Sequence, residues 1–153
     1  EEQLDLLPLL QKVADNFQFR ITEQDGSFSY ETQISKAPIM GDEVHLTNVF
    51  QNLLDNAIKY AEGPPDITLR VGRYLRYLRI EVADKGIGMS ANEQQYIFDK
   101  FYRVSNGNVH NVQGFGLGLS YVATIIKAHS GSIRVSSSKG RGTTFYLYLP
   151  LST

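Results

Sequence analysis

A chain of 153 residues matches the usual size of one domain, roughly 100 to 200 residues around one core, so a second folded domain is not expected. With 42% hydrophobic and 20% charged residues it is too apolar for a disordered tail and too mixed for a membrane bundle. Fifteen basic against sixteen acidic side chains exclude a global attraction to nucleic acid or an anionic membrane surface, and the absence of cysteine excludes disulfide frameworks, thiolate nucleophiles and Cys-ligated zinc.

After Asp5, a plausible N-cap, Leu6, Leu9, Leu10, Val13 and Phe17 recur at helical spacing, which predicts an amphipathic helix over residues 5–18. Asp25-Gly26 breaks the chain, and Phe28, Tyr30, Thr32 and Ile34 alternate as a half-buried strand, with residues 20–24 as a candidate partner. Asp42 can cap a second helix to about Tyr60, striped by Leu46, Val49, Phe50, Leu53 and Ala57. Gly63-Pro64-Pro65 stops it. Ile67, Leu69 and Val71, then Leu78, Ile80 and Val82, alternate as the two strands of a hairpin turning between residues 72 and 77, and the second strand runs into Asp84. A short helix is expected over residues 91–98, then a polar stretch over 104–113 without a large apolar side chain. Leu119, Val122, Ile125 and Ile126 mark a third long helix ending near Ser130-Gly131, and two closing strands flank the turn Lys139-Gly140-Arg141-Gly142. Helices fall between pairs of adjacent strands, which predicts an α+β two-layer sandwich: a mixed, mostly antiparallel sheet on about three helices. No stretch approaches the roughly 20 apolar residues of a membrane span. Glu1 to Asp5 has no leader-like character, so any anchor is expected outside this chain.

Three features carry candidate chemistry. Asn48, Asn52, Asn56 and Lys59 line one polar face of the second helix; asparagine is a poor helix former, so this is either a costly solvated face or a binding face. Asp84-Lys85-Gly86-Ile87-Gly88 follows a strand whose even residues face the core, so Asp84 points the same way. There it is either a turn-capping residue or an acceptor for a donor such as the adenine 6-amino group. Gly114-Phe115-Gly116-Leu117-Gly118-Leu119 opens a helix and is either a tight turn or a set of amides for a polyphosphate. It is neither a Walker A loop nor a dinucleotide fingerprint. The histidines at 45, 110 and 129 are too far apart for a His-based metal site.

Taken together these segments resemble a known family. Asn52-Leu53-Leu54-Asp55-Asn56-Ala57-Ile58-Lys59-Tyr60 resembles the N box of sensor histidine kinases, residues 84–88 their G1 box, Phe98-Asp99-Lys100-Phe101-Tyr102-Arg103 their F box, residues 114–119 their G2 box, and Gly140-Arg141-Gly142-Thr143-Thr144-Phe145 the closing glycine motif. The resemblance covers nearly the whole chain in the family's order. It implies one domain over 1–153, the ATP-binding catalytic domain of a two-component histidine kinase, with the Bergerat ATP fold of the GHKL superfamily shared with gyrase, Hsp90 and MutL.

What the resemblance implies for the site is specific. Asp84 accepts from the adenine amine, with Gly86 and Gly88 near the base. Asn56 coordinates Mg2+, with Asn52 and Lys59 near the phosphates and Tyr60 beside the nucleotide. The amides at Gly114, Gly116, Leu117, Gly118 and Leu119 hold the triphosphate of ATP. Residues 104–113 form a lid anchored by Phe98 and Phe101, and Arg103 reaches the terminal phosphate. Phe115 stands where the family often has Thr or Ser. The acceptor histidine is absent, so the implied partners are a His-containing dimerisation domain of the same protein and a downstream response regulator, with no nucleic acid and no direct membrane contact. The implied setting is the cytoplasmic part of a membrane-anchored bacterial sensor. The other readings are an ATPase or serine kinase of the same superfamily, and a non-catalytic nucleotide-sensing or docking module. The ATPases of that group carry a Glu general base where this chain has Asn52.

Overall fold

The computed structural model describes residues 2–99 and 118–152. Its elements run β1 (Glu2–Asp5), α1 (Leu6–Glu23), β2 (Ser27–Thr32), β3 (Pro38–Gly41), α2 (Glu43–Lys59), β4 (Asp66–Tyr74), β5 (Tyr77–Asp84), α3 (Ala91–Gln94), α4 (Gly118–Ala128), β6 (Ser132–Ser138) and β7 (Gly142–Pro150). Five strands form one sheet in the order β2-β4-β5-β7-β6, with β2 parallel to β4 and the other neighbours antiparallel. Along β4, β5 and β7 every second residue is buried, and this face meets the apolar stripes of the helices. The expected mixed, mostly antiparallel sheet on about three long helices is the observed fold. Among the described residues no helix is long and apolar enough to cross a membrane.

Each long helix is set by its stripe and its cap. In α2, Leu46, Val49, Phe50, Leu53 and Leu54 are at most 1% exposed, each burial stabilising by roughly 1.5–3 kcal/mol. Asp42 caps this helix by accepting from the His45 N–H at 3.0 Å. Asp5 caps α1 through the Leu7 N–H at 3.1 Å, and the same Oδ1 accepts from the Ala37 N–H at 2.9 Å. One carboxylate therefore starts a helix and pins the segment leading into β3. Asp5→Ala should lower stability by about 1–2 kcal/mol. Urea unfolding would show this as a lower midpoint at unchanged slope.

Three expectations fail. Residues 20–24 are not a strand beside β2: Arg20 to Glu23 form the last turn of α1, because Ile21 continues the Phe17 stripe and is fully buried. The helix stops where the Gln24 and Gly26 N–H groups both reach the Ile21 carbonyl and Asp25 takes φ 59°. The second strand ends at Thr32, so Ile34 lies in the following loop, where its carbonyl accepts from the Thr32 hydroxyl at 3.0 Å. The β1–β3 pair, antiparallel with Leu4 opposite Ile39, has no counterpart in the sequence reading. The 91–98 helix is shorter than expected, one capped turn at Ala91–Gln94.

Candidate functional site

The core face of the sheet ends in one rung that changes from apolar to polar. Phe28, Ile67, Asp84, Thr143 and Ser137 lie in register across β2, β4, β5, β7 and β6. Asp84 shares its face with the buried Leu78, Ile80 and Val82, as the period of two predicts. Its Oδ1 accepts from the Gly86 N–H at 2.8 Å and the Thr143 N–H at 3.3 Å. Its Oδ2 has no hydrogen-bond partner among the described residues. Burial pushes the carboxyl above the ordinary Asp value, and the two backbone N–H groups offset only part of that shift. An acceptor oxygen held at the end of an apolar layer is suited to a ligand N–H.

The turn after Asp84 packs too closely on its own neighbouring main chain to hold a larger residue. A Cβ on Gly86 would collide with the Tyr60 carbonyl and press within 3.1 Å of Asp84 Oδ1. That same carbonyl accepts from the Ile87 N–H at 3.0 Å, so the end of α2 buttresses the turn through its main chain. Gly88 is buried in the same turn. Across from it, Gly142 holds φ +93° with its Cα against the Asp84 main chain. Gly142→Ala combines a disfavoured backbone with a steric overlap and should cost about 1–3 kcal/mol for the backbone alone. A melting temperature several degrees below wild type is the expected readout.

Within the asparagine stripe of α2, Asn52 faces the start of α4, and Asn48 lines a cleft against α1. Asn52 donates its amide to the Asn48 carbonyl at 2.8 Å, and its Oδ1 lies 3.1 Å from where a Cβ on Gly118 would stand. Asn56, half-buried one turn further on, makes no side-chain hydrogen bond among the described residues. Lys59 is exposed in the last turn, and Tyr60 is the C-cap. Gly118 opens α4, whose first N–H groups have no partner within the helix. The Leu119 side chain packs on the core. Phe98 packs edge-on against Phe145 at 6.2 Å between ring centroids. Arg103, Gly114, Gly116, Leu117 and the proposed lid over 104–113, with Phe101, His110 and Phe115, lie outside the described residues.

His129 donates from Nδ1 to the Ile125 carbonyl at 2.8 Å and accepts at Nε2 from the Asp42 N–H at 3.1 Å, which ties α4 to the cap of α2. His45 bonds the Tyr121 hydroxyl. Neither takes part in a cluster, and among the described residues no three His, Asp or Glu converge on a metal position. A separate cleft of about 420 Å³ lies between α1 and the first half of α2, and Asn52, Asn56 and Asp84 are not among its lining residues.

Two residues of the polar rung escaped the sequence reading as site residues. Thr143 and Ser137 form a hydroxyl pair beside Asp84, and Gln94 braces it by donating to the Met89 carbonyl at 3.1 Å and the Ser137 carbonyl at 2.9 Å. The available signal for Thr143 was its parity with Phe145, Leu147 and Leu149. For Gln94 it was the capping box of Ser90 and Glu93, which fixes its short helix.

A twisted mixed sheet with a carboxylate at the end of its core face, an asparagine-striped helix and a glycine-opened helix define a nucleotide-binding class of fold. The family described as histidine kinase-, DNA gyrase B-, and HSP90-like ATPase matches residues 41–153, and the chain belongs to that family. It is 40% identical over 152 residues to the sensor protein RprX of Bacteroides fragilis, covering 98% of this chain and 29% of RprX. It is 34% identical over 138 residues to the sensor protein CiaH of Streptococcus pneumoniae, covering 90% of this chain and 31% of CiaH. The chain thus spans about a third of the length of these relatives. Among solved structures, the nucleotide-free catalytic domain of histidine kinase ThkA superimposes with a TM-score of 0.83 at 25% identity over 97% of this chain and 94% of that one. Full-length ShkA in complex with AMPPNP gives 0.82 at 27% identity over 98% of this chain and 31% of that one.

Proposed function

We propose that residues 1–153 form the catalytic and ATP-binding domain of a two-component sensor kinase, which binds Mg-ATP and presents its γ-phosphate to a histidine on a separate dimerisation domain of the same protein. The observation that carries this reading is the Oδ2 of Asp84, without a hydrogen-bond partner among the described residues, beside a turn that only glycine fits. That oxygen accepts from the adenine amine, and Gly86 and Gly88 let the base lie against the backbone. Asn52 and Lys59 face the phosphates, the α4 amides from Gly118 and Leu119 hold them with Gly114, Gly116 and Leu117, and Arg103 reaches the terminal phosphate.

The amide oxygen of Asn56 is a hard ligand with no hydrogen-bond partner among the described residues, and Mg2+ prefers a few such oxygens beside phosphate and water. The ion would neutralise phosphate charge there. Catalysis then rests on positioning and charge neutralisation rather than on a protein base. Asn52 supports this over an ATPase: its amide is engaged with the Asn48 carbonyl and takes no proton from water. The AMPPNP bound in the ShkA structure, an ATP analogue, accords with the nucleotide assignment. A response regulator is the downstream partner in this reading, as in the complex of ThkA with the response regulator TrrA. In this reading the parent protein is a membrane-anchored bacterial sensor with this domain in the cytoplasm.

The test is a calorimetric titration with ATP, with and without magnesium, followed by transfer of labelled phosphate to a supplied histidine domain. Magnesium-dependent binding with transfer is expected. A folded chain that binds no ATP would end the proposal, and binding without transfer to any cognate domain would reduce it to a sensing module.

A further inference from the structure

Ser137 has one hydroxyl proton and three close neighbours. Its Oγ accepts from the Met89 N–H at 2.8 Å, and lies 2.8 Å from the Gly142 carbonyl oxygen and 2.8 Å from Thr143 Oγ1. A carbonyl only accepts, so the proton between Ser137 and Gly142 belongs to Ser137. The contact with Thr143 needs a proton as well, and Thr143 alone can supply it. With two bonds accepted and one donated, Ser137 is saturated. The Thr143 hydroxyl is therefore locked as a donor toward Ser137 and turns only lone pairs to anything else. Thr143 is 8% exposed, stands directly opposite Asp84, and gives its own N–H to Asp84 Oδ1.

Resting on the reading of Asp84 as the acceptor for adenine, we propose that Ser137 is a positioning residue for base selection: by taking the Thr143 proton it makes the surface beside Asp84 acceptor-only. A purine with a 6-amino group then finds two acceptors, and one with a 6-carbonyl finds no donor. A purely structural Ser137, tying the β6–β7 hairpin to the glycine turn, would instead weaken both kinds of nucleotide equally.

The probes are ATP and inosine triphosphate, which differ at that position, and the readout is the ratio of their dissociation constants for this chain with magnesium. Ser137→Ala frees the Thr143 proton to meet a 6-carbonyl, so the preference for ATP should fall about three- to tenfold, the range expected for one hydrogen bond. Ser137→Thr restores the hydroxyl and should restore the ratio. Thr143→Val leaves the bonds of Ser137 to Met89 and Gly142 in place and removes the wired hydroxyl; it should lower the ratio similarly, with nothing further lost in the double variant. A wild-type ratio in folded Ser137→Ala overturns the proposal. A wild-type ratio in Thr143→Val overturns it too, whether or not Ser137→Ala folds. Asp84→Asn, run alongside, separates the two layers: if it keeps the wild-type ratio, the adenine reading itself fails. If it alone collapses the ratio, only the role of Ser137 fails.

Discussion

Asp84→Asn is expected to weaken ATP binding roughly ten- to more than a hundredfold while leaving the nucleotide-free fold at least as stable at neutral pH. The loss follows from replacing a charged acceptor by an amide, because a hydrogen bond to a charged group contributes about 1.5–3 kcal/mol. The retained stability follows from the direction of the shift. Burial raises the folded pKa of Asp84, so between its unfolded and folded values the folded state binds the extra proton. The associated stability is fully present below the unfolded pKa and is lost as pH rises through the folded one. Wild type should therefore lose stability relative to Asp84→Asn as pH climbs from about 4, the ordinary carboxylate value, toward neutrality. The asparagine oxygen still accepts from the Gly86 and Thr143 N–H groups. Urea midpoints for both proteins across pH 4–7, with calorimetry at neutral pH, check both halves. Undiminished ATP affinity in the folded variant would remove Asp84 from the base site.

Asn56→Ala should abolish phosphate transfer to a supplied histidine domain and erase the magnesium dependence of ATP affinity. The fold has little reason to respond. The side chain makes no hydrogen bond among the described residues, and alanine is a better helix former than asparagine by several tenths of a kcal/mol. Unfolding midpoints within a degree or two of wild type are expected, so lost activity reports on the site. Transfer at the wild-type rate with magnesium present would take Asn56 out of metal binding.

Much of this was legible in the residues, for identifiable reasons. The strands β4, β5 and β7 bury one face only, so their alternation shows in the sequence, and that alternation alone oriented Asp84. The helix stripes were readable where burial is uninterrupted, as in α2. Residues 20–24 misled because Ile21 and Thr22 are β-branched and locally favour a strand. Burial of Ile21 beneath Phe17 overrides that local preference. The four-residue strands β1 and β3 are too short to show alternation, and they meet only because the chain between them folds back. The Ser137–Thr143 pair depends on the register of β6 against β7 and on side-chain rotamers, neither of which a linear pattern records. The sequence places Tyr60 beside the nucleotide, and the support its carbonyl gives the turn is a main-chain contact that no side-chain pattern records.

The parallel pairing of β2 with β4 has a kinetic consequence. Glu31 and Arg70, bonded neighbours on β2 and β4, are 39 residues apart in the chain, and the whole of α2 lies in the loop between them. Closing such a loop costs entropy before any contact repays it, and non-local parallel pairing is slow for that reason. The asparagines arrive inside that loop, whereas Asp84 comes from β5, which pairs with β4 and β7 outside it, so the asparagine half of the site waits on loop closure. Molecules caught short of closure lack a place for nucleotide. A nucleotide that binds only the completed fold would draw the population toward it by mass action and so act late in folding.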